Sequence, residues 1–440
     1  MEKRCLVCYT GFMRIIHTAD WHLGNQMHDI NRTEEARNFL KWLKAQIEEK
    51  SAEALIVSGD IFDTVNPSNE ARKLYYTFLA SLADTCCRNV VITGGNHDSA
   101  MMLDAAKELL EVMNIRVIGS VNNLLPEDMV IELASGGAVA GGGALCLAVP
   151  FVREVELRNL VEVGDGASEV EDKDLYSRAY GKLYEEVFAA AEKVRAGREI
   201  PVMATGHLYA AKLEGRLEGA RADQKSDDGV KVLDTVGTLG NVPASVFPDQ
   251  LDYVALGHIH YSTMVAKNPK IRYSGSPFVM GFDEALLPHY VLCVDLEYGK
   301  SAVVEKLEVP QTYIYRRLSG TLDEIKNQLK EYITLKSEKN VFLEICYKRE
   351  AGTNAQEFLE DDIKLLPENI NVVSWKLMEQ EMLFSSGFFE DFSSEEIKNL
   401  DDEQVFRQLI LSKIGLDPES SEAKAVLEKF LPLFISESNS

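Results

Sequence analysis

Five short polar motifs in this 440-residue sequence carry residue types that bind metal ions, and each follows a run of apolar residues. In chain order they are Asp20-x-His22, Gly59-Asp60-x-x-Asp63, Gly95-Asn96-His97-Asp98, Gly206-His207 and Gly257-His258-x-His260. Carboxylate, imidazole and carboxamide groups together suit divalent ions that keep coordination positions open for water and substrate. One such motif alone is common in turns, but five in this order indicate a single metal centre.

The spacing favours two ions rather than one. Two divalent ions roughly 3.5 to 4 Å apart need a bridging carboxylate, and Asp60 is the residue predicted to bridge them. The remaining predicted ligands form two sets of three. The first set is Asp20, His22 and His260, and the second is Asn96, His207 and His258. The His-x-His pair places both imidazoles on one face of a strand, because strand side chains alternate, and one histidine therefore serves each ion.

A further histidine, His97, is predicted to be catalytic and not a ligand. Imidazole changes charge near neutral pH, which suits His97 to donating a proton to the leaving oxygen or stabilising the charged transition state. Asp63 and Asp98 are expected either to orient ligand imidazoles or to cap turns, and the sequence leaves both roles open. His17 lies on the first predicted strand, where a packed or hydrogen-bonded core residue is expected.

Short apolar runs alternate with helical patterns through the first part of the chain. The predicted strands are 14–18, 54–58, 89–93, 116–119, 145–150, 201–205, 252–256 and 290–296, and the predicted helices are 33–50, 69–83 and 101–113. This alternation is typical of an α/β domain, in which the loops after the strands converge at one edge of the sheet. The fold therefore gathers the five motifs.

The pattern changes after about residue 309 to strand, helix, strand, helix, strand, which predicts a small α+β domain. Beyond it, two amphipathic helices on an acidic linker have too few apolar residues for a core of their own, so they require a partner surface. We divide the chain into a lead segment at 1–12, a first domain at 13–305, an α+β domain at 306–382 and a helical tail at 383–440. Met13 is an alternative start to Met1, and residues 209–242, with five glycines, are expected to form a mobile loop.

Composition limits the class of protein. The formal net charge is −24, so the chain does not hold nucleic acid through its overall charge; metal ions, a local basic lining or a partner would have to do so. No run reaches the roughly 18 to 20 apolar residues of a membrane helix. Seven cysteines without paired spacing favour a reducing compartment, the cytoplasm.

The motif set resembles the calcineurin-type metallophosphoesterase superfamily, every motif element of which is matched here. More narrowly, four segments are similar to the SbcD exonuclease family, a resemblance that covers roughly residues 13–300. The segments are IHTADWHLG at 16–24, GDIFDT at 59–64, VALGHIH at 254–260 and YSGSP at 273–277.

The resemblance implies a four-layer metallophosphoesterase β-sandwich flanked by helices, a small α+β capping domain at 306–382 and a C-terminal helical tail that binds an SbcC-type coiled-coil ABC ATPase. It also implies manganese as the pair of ions, and DNA as the substrate in repair and recombination. Double-stranded ends would be cut in the 3′ to 5′ direction, and single strands or hairpins internally. Two nuclease subunits would form a homodimer within a cytoplasmic heterotetramer.

Two other classes of function remain at this stage. A phosphatase acting on a small molecule or a phosphoprotein is the first, because the same two-metal centre serves phosphate monoesters. A scaffold that has lost its ligands is the second, and all seven predicted ligand positions being filled argues against it.

Overall fold

A computed structural model describes most of the chain between Phe12 and Met378. The described residues are 12–28, 30–135, 143–162, 172–210, 213–214, 242–349 and 353–378. The predicted helical tail, residues 1–11 of the predicted lead segment and most of the predicted loop at 209–242 lie outside them.

Strands and helices alternate along these residues. The strands are β1 (Met13–Thr18), β2 (Gln26–Met27), β3 (Ile30–Asn31), β4 (Ala54–Ser58), β5 (Asn89–Thr93), β6 (Ile115–Ile118), β7 (Val130–Ala134), β8 (Gly143–Leu147), β9 (Val202–His207), β10 (Leu213–Glu214), β11 (Tyr253–Gly257), β12 (Thr263–Val265), β13 (Asn268–Tyr273), β14 (Tyr290–Leu296), β15 (Val303–Glu308), β16 (Ile314–Gly320), β17 (Val341–Tyr347) and β18 (Ile370–Leu377). The helices are α1 (Thr33–Lys50), α2 (Asn69–Ser81), α3 (Ala100–Asp104), α4 (Lys107–Glu111), α5 (Glu154–Glu162), α6 (Asp172–Arg195), α7 (Leu322–Ile333) and α8 (Ala355–Lys364).

The first sheet has the strand order β15-β14-β1-β4-β5-β6. Its strands β1, β4, β5 and β6 run parallel, and β14 lies antiparallel to β1. Every residue of β4 and β5 is buried, as expected for parallel strands that are covered on both faces. Helix α2 begins where the Ser68 side chain accepts a hydrogen bond from the Ala71 backbone N–H, which satisfies one of the unpaired donors of its first turn.

Successive residues of the first sheet face different layers. Ile15 and Ile56 belong to a core shared with the second sheet. Ile16 and Val57 pack instead in a core with the apolar faces of α1 and α2. Because successive side chains of a strand point to opposite faces, the same apolar strands contribute to two separate cores.

The second sheet has the strand order β10-β12-β13-β11-β9-β8-β7. Helix α6 adds Tyr180 and Tyr184 to the core of this sheet, and the Tyr184 hydroxyl donates to the Thr205 carbonyl at 2.7 Å. The described residues therefore form the predicted α/β fold, with mixed sheets and covering helices.

Some elements differ from their predictions. The single helix predicted at 101–113 is wrong, because α3 and α4 are separate short helices. Met101 and Val112 are 84% and 83% exposed, so the apolar residues of this segment do not lie along one buried face. Strand β15 was not predicted, since its residues are mostly charged or exposed and lie at the edge of the sheet.

The chain divides into two compact units. Among the described residues, the larger unit comprises 12–317, 332–344 and 366–374, and the smaller comprises 318–331, 345–365 and 375–378. Within the smaller unit, Lys326 pairs with Asp362 at 3.2 Å and lies over the Phe358 ring. The predicted domain at 306–382 does contain the expected strand and helix alternation, while its boundaries stay a prediction.

Two observations on the described part of the chain concern its cysteines and its helices. Cys86, Cys87, Cys146, Cys293 and Cys346 form no disulfide among the residues that the structure describes. None of the helices described there is both long enough and apolar enough to cross a membrane.

The prediction that His17 is a hydrogen-bonded core residue is confirmed. Its ring is fully buried, with Nδ1 at 2.9 Å from the Tyr253 hydroxyl and Nε2 at 3.2 Å from the Leu256 carbonyl oxygen. The two contacts join β1 of the first sheet to β11 of the second. Burial lowers the pKa of His17 to about 3, so the ring is neutral in the folded protein at neutral pH.

Replacing His17 with Gln should make the free energy of unfolding less sensitive to acid. An unfolded histidine takes up a proton below about pH 6.5 whereas folded His17 does not, so the folded state loses stability as the pH falls from there. Between about pH 7.5 and about pH 5, His17→Gln should lose about 2 kcal/mol less than the parent in urea unfolding. The exposed His28, replaced in the same way, is the control, and equal losses in parent and His17→Gln would contradict the prediction.

Candidate metal centre

The predicted metal-binding residues converge at one edge of the two sheets. The first sheet supplies those that follow β1, β4 and β5, and the second sheet supplies those at the ends of β9 and β11. Such convergence is expected, because the carboxyl ends of parallel strands meet at the same edge of a sheet. In chain order these residues are Asp20, His22, Asp60, Asn96, His207, His258 and His260.

Two glycines permit this close approach. A Cβ atom on Gly59 would collide with the His207 ring, and one on Gly95 would collide with the Asp60 carboxylate. Gly59 also has a φ of +86°, a backbone conformation that side chains rarely adopt. The glycines of the motifs are therefore required by the packing of the site itself.

Four of the predicted ligands have strained backbones. Asp20, His22, Asp60 and His258 have φ values of +54°, +41°, +49° and +97°, in the region that non-glycine residues avoid. Backbone hydrogen bonds hold two of these turns, from Asp20 N–H to the Gly59 carbonyl and from His22 N–H to the Asp60 carbonyl, both at 3.0 Å. Strain that is held by surrounding structure is typical of functional sites.

The first predicted set of ligands is close enough to share one ion. One ligand atom from each of Asp20, His22 and His260 lies within 4.8 Å of the others. The two imidazoles point their Nε2 atoms at each other across 3.3 Å. Both nitrogens could bind one cation if both imidazoles were deprotonated.

The second predicted set converges on a carboxamide oxygen. Asn96 Oδ1 lies 2.9 Å from His207 Nε2 and 3.0 Å from His258 Nδ1. His207 Nδ1 lies 2.9 Å from the Ser58 carbonyl oxygen, which only accepts, so Nδ1 carries a proton and Nε2 is the ring nitrogen left to face an ion. A metal ion would bind Nε2 in its deprotonated form.

Asp60 lies between the two sets. Its Oδ2 atom is 3.7 Å from His22 Nε2 and 3.3 Å from His207 Nε2, and these histidines belong to different sets. Burial raises the pKa of Asp60, but the charges of His207 and His22 outweigh it and hold that pKa well below its usual value. The carboxylate is therefore ionised and lies between the two predicted sets, and its bridging role stays a prediction.

The donor set fits a pair of divalent ions. It combines four imidazoles, two carboxylates and one carboxamide, a mixture of nitrogen and oxygen donors that suits first-row divalent metals. Asp20, His22, Asp60 and His207 are at most 3% exposed. Burying so many ionisable groups is costly unless their charges are compensated, and two cations would compensate them.

Burial and neighbouring charges together set the protonation of the other ligands. Burial raises the pKa of Asp20 to about 7, against the effect of His207. For His207, burial lowers the pKa, but the charge of Asp60 outweighs it and the pKa rises to about 9. Burial and a neighbouring imidazolium lower the pKa of His258 to about 4 and that of His260 to about 3. Ligands bind metals in deprotonated form, so ion binding weakens as the pH falls.

His97 lies at the exposed rim of the centre. Its Nδ1 atom is 2.9 Å from the Asp63 carbonyl oxygen, so the proton sits on Nδ1 and Nε2 is the available nitrogen. Its backbone N–H donates to Asp60 Oδ1 at 2.9 Å. A ring nitrogen of His97 also lies within 4.8 Å of ligand atoms of His22 and Asp60. The geometry is compatible with either a catalytic or a ligand role, and the catalytic role stays a prediction.

Asp63 and Asp98, whose roles the sequence leaves open, have different surroundings. Asp63 Oδ1 lies 3.4 Å from His22 Nδ1, a position from which it can orient that imidazole. Asp98 instead accepts backbone hydrogen bonds from Ile61, Phe62 and Gly95 at 2.9 to 3.1 Å, so it fastens two site loops together.

Several contacts at the centre involve residues outside the five metal-binding motifs. Phe151 packs the edge of its ring near the ring of His207, with centroids 6.3 Å apart, and Ser276 Oγ donates to the Asp20 carbonyl oxygen at 2.9 Å. Asn25 donates to Asp63 Oδ1 at 2.9 Å. These residues belong to no metal-binding pattern, and only the folded chain brings them to the site.

Comparison with known proteins gives a consistent result. The family model for calcineurin-like phosphoesterases matches residues 13–262. The SbcD component of the nuclease SbcCD from Escherichia coli K12 is 34% identical over 333 residues, covering 76% of this chain and 77% of that protein. The proteins of the same name from Rhodobacter capsulatus and Bacillus subtilis are 34% and 31% identical, covering 65% and 67% of this chain and 67% and 69% of their own lengths.

Replacing Asp60 with Asn should remove or disorder both ions, because a bridging carboxylate serves two ions at once. After loading with Mn²⁺ and desalting, the parent should retain about two ions per chain by plasma mass spectrometry and Asp60→Asn far fewer. The exposed Asp249, replaced with Asn, carries the same change of charge away from the centre and should retain the parent value. Near-normal metal content in Asp60→Asn would contradict the bridging assignment.

Proposed function

This chain belongs to the SbcD nuclease subunit family, within the calcineurin-like phosphoesterases, and we propose that its centre binds two Mn²⁺ ions and hydrolyses the phosphodiester bonds of DNA. The observation that carries the proposal is the position of Asp60 Oδ2 between His22 Nε2 and His207 Nε2. From that position one carboxylate could serve both ligand sets, as the two-ion centres of phosphoryl transfer require, which supports the proposal.

Each part of the centre has a separate task in this proposal. Two divalent ions, when bound, would supply an acidified water nucleophile and neutralise charge on the phosphoryl oxygens. Asp60 would hold the sets of Asp20, His22, His260 and of Asn96, His207, His258 at a fixed separation. The Ser58 carbonyl, by keeping the proton on Nδ1 of His207, directs the other ring nitrogen inward.

His97 is proposed to act on the leaving group. With Nδ1 held by the Asp63 carbonyl, its protonated form would present the Nε2 proton to the leaving oxygen of the phosphodiester. Its rim position leaves the ring accessible to substrate. The backbone N–H of His97 also fixes Asp60, so one residue links the acid and the bridging carboxylate.

The substrate and the direction of cleavage are proposed by analogy with the family. We propose 3′ to 5′ exonuclease action on double-stranded ends and endonuclease action on single strands and hairpins. The relatives' shared name, which makes them part of the nuclease SbcCD, supports a nuclease. The net charge of −24 supports a further component that holds DNA, because phosphate neutralisation by Lys and Arg dominates DNA affinity.

That component is proposed to be an SbcC-type coiled-coil ATPase. The name of the relatives supports it, since they are one subunit of SbcCD. The helical tail at 383–440 would bind the ATPase, a four-layer sandwich at 13–305 would carry the centre, and the α+β domain at 306–382 would cap it. Two copies of the nuclease subunit would form the core of a heterotetramer in the cytoplasm.

Cleavage assays separate this proposal from a phosphatase. With Mn²⁺, the chain co-expressed with its ATPase should degrade linear duplex DNA and hydrolyse a generic aryl phosphate only weakly. In the same assay, His97→Ala should retain both ions while DNA cleavage falls by about 10² to 10⁴, the usual size of an acid-base contribution. Preferred hydrolysis of the aryl phosphate would favour a phosphatase. Loss of metal from His97→Ala would indicate that His97 is a metal ligand.

Truncation after Met382 should separate chemistry from assembly. The shortened chain should bind Mn²⁺ and hydrolyse a small phosphodiester like the parent, because the centre lies wholly in earlier residues. It should no longer copurify with the co-expressed ATPase, and its processing of DNA ends should weaken. If the shortened chain aggregates, or binds the ATPase as tightly as the full chain, the role of the tail is wrong.

A further inference from the structure

A continuous series of polar contacts leads away from one predicted metal ligand. It begins at His22 Nδ1, which lies 3.4 Å from Asp63 Oδ1. The same Asp63 oxygen accepts a hydrogen bond from Asn25 Nδ2 at 2.9 Å, and Asn25 Oδ1 accepts one from Arg32 Nη1 at 3.0 Å. None of Asn25, Arg32 or their partners beyond Asp63 has a role in the reaction described above.

The far end of the series is anchored in the core of the larger unit. Arg32 Nε donates to Glu35 Oε2 at 2.7 Å, and the Tyr315 hydroxyl donates to the same carboxylate oxygen at 3.2 Å. Arg32 and Glu35 are each only 5% exposed. The guanidinium also lies over the rings of Phe278 and Tyr315, at 5.3 and 5.8 Å from their centroids. A charge that is paired and covered in this way is held in one orientation.

The donor and acceptor groups of each residue in this series determine which atom of the next residue faces it. Arginine only donates hydrogen bonds, so the Asn25 atom facing Arg32 must be the carbonyl oxygen. The Asn25 amide nitrogen therefore faces Asp63 and donates to it. An ionised Asp63 cannot donate, so its oxygen at 3.4 Å attracts a proton onto Nδ1 of His22, and Nε2 is the ring nitrogen left to face the ion.

We propose that Asn25 and Arg32 are positioning residues for the ion held by Asp20, His22 and His260, acting through Asp63. The inference rests on the two-metal centre of the proposed function but not on the choice of DNA as substrate. His22 needs this support because its backbone is strained, at a φ of +41°, and because Asp63 is 26% exposed. Without Asn25, water would compete for the Asp63 oxygen that orients the imidazole.

The sharpest test is Asn25→Asp, which changes one atom of the side chain and creates no cavity. The new carboxylate still accepts from Arg32 but repels Asp63 instead of donating to it. In a Mn²⁺ titration by calorimetry, one of the two classes of ion should bind up to about tenfold more weakly, since direct partners of ligands are worth about 10- to 100-fold. Asp63→Asn, the direct partner, should weaken the same class more.

The matched control is Asn38→Asp, the same substitution on helix α1. Asn38 is exposed and donates to the Thr312 hydroxyl at 3.3 Å, away from the predicted ligands, so both classes of ion should bind as in the parent. Arg32→Lys is a second variant, because it keeps the charge while a single ammonium cannot donate to Asn25 and Glu35 in the geometry of the guanidinium. It should also weaken one class of ion selectively.

A purely structural role would produce a different pattern. Equal weakening of both classes with a parallel fall in melting temperature would overturn the inference, and so would unchanged binding of both. In Asn25→Asp, excess Mn²⁺ should restore phosphodiester cleavage, because the reacting groups are intact; failure of this rescue would also overturn it. The parent's own cleavage of DNA tests the proposed function separately, since the titrations use Mn²⁺ alone.

Discussion

The structure depends on the burial of ionised groups where its two sheets meet. Asp60 is 2% exposed, and its carboxylate faces histidines from both sheets and the backbone N–H of His97. A carboxylate removed from water is stable only when its lone pairs are occupied and its charge is opposed. The loops after β1, β4, β5, β9 and β11 all serve this requirement.

The need to bring these buried groups together also accounts for the positive φ angles and the glycines of the site. Asp20, His22 and His258 have positive φ angles in the turns that follow β1 and β11, where the predicted ligands come together. Gly59 and Gly95 leave the space into which His207 and Asp60 fit. The backbone is strained at these positions while the donor groups are held in a preorganised arrangement, as is usual for functional sites.

Much of this arrangement could be predicted from local sequence. Buried parallel strands such as β4 and β5 are continuous apolar runs, and the residue types after them reveal their chemistry directly. The support of His22 could not be predicted, because Asn25 and Arg32 are ordinary polar residues until folding brings Asp63 and Tyr315 to them. Edge strand β15 and the break between α3 and α4 were missed for a related reason, since exposed or charged residues obscure periodicity.

The origin of the ligands in both sheets has a consequence for the synthesis of the protein. His22 and His260, which share one set, are separated by 238 positions, and Asn96 and His258, which share the other, by 162. Neither set is complete until β11 has left the ribosome and has paired within its sheet. Contacts so distant in sequence form late, because the entropy of closing the intervening loop is lost before they are made. Ion binding by either set would therefore have to follow synthesis of the first 260 residues, and a chain that ends before β11 holds only part of each set.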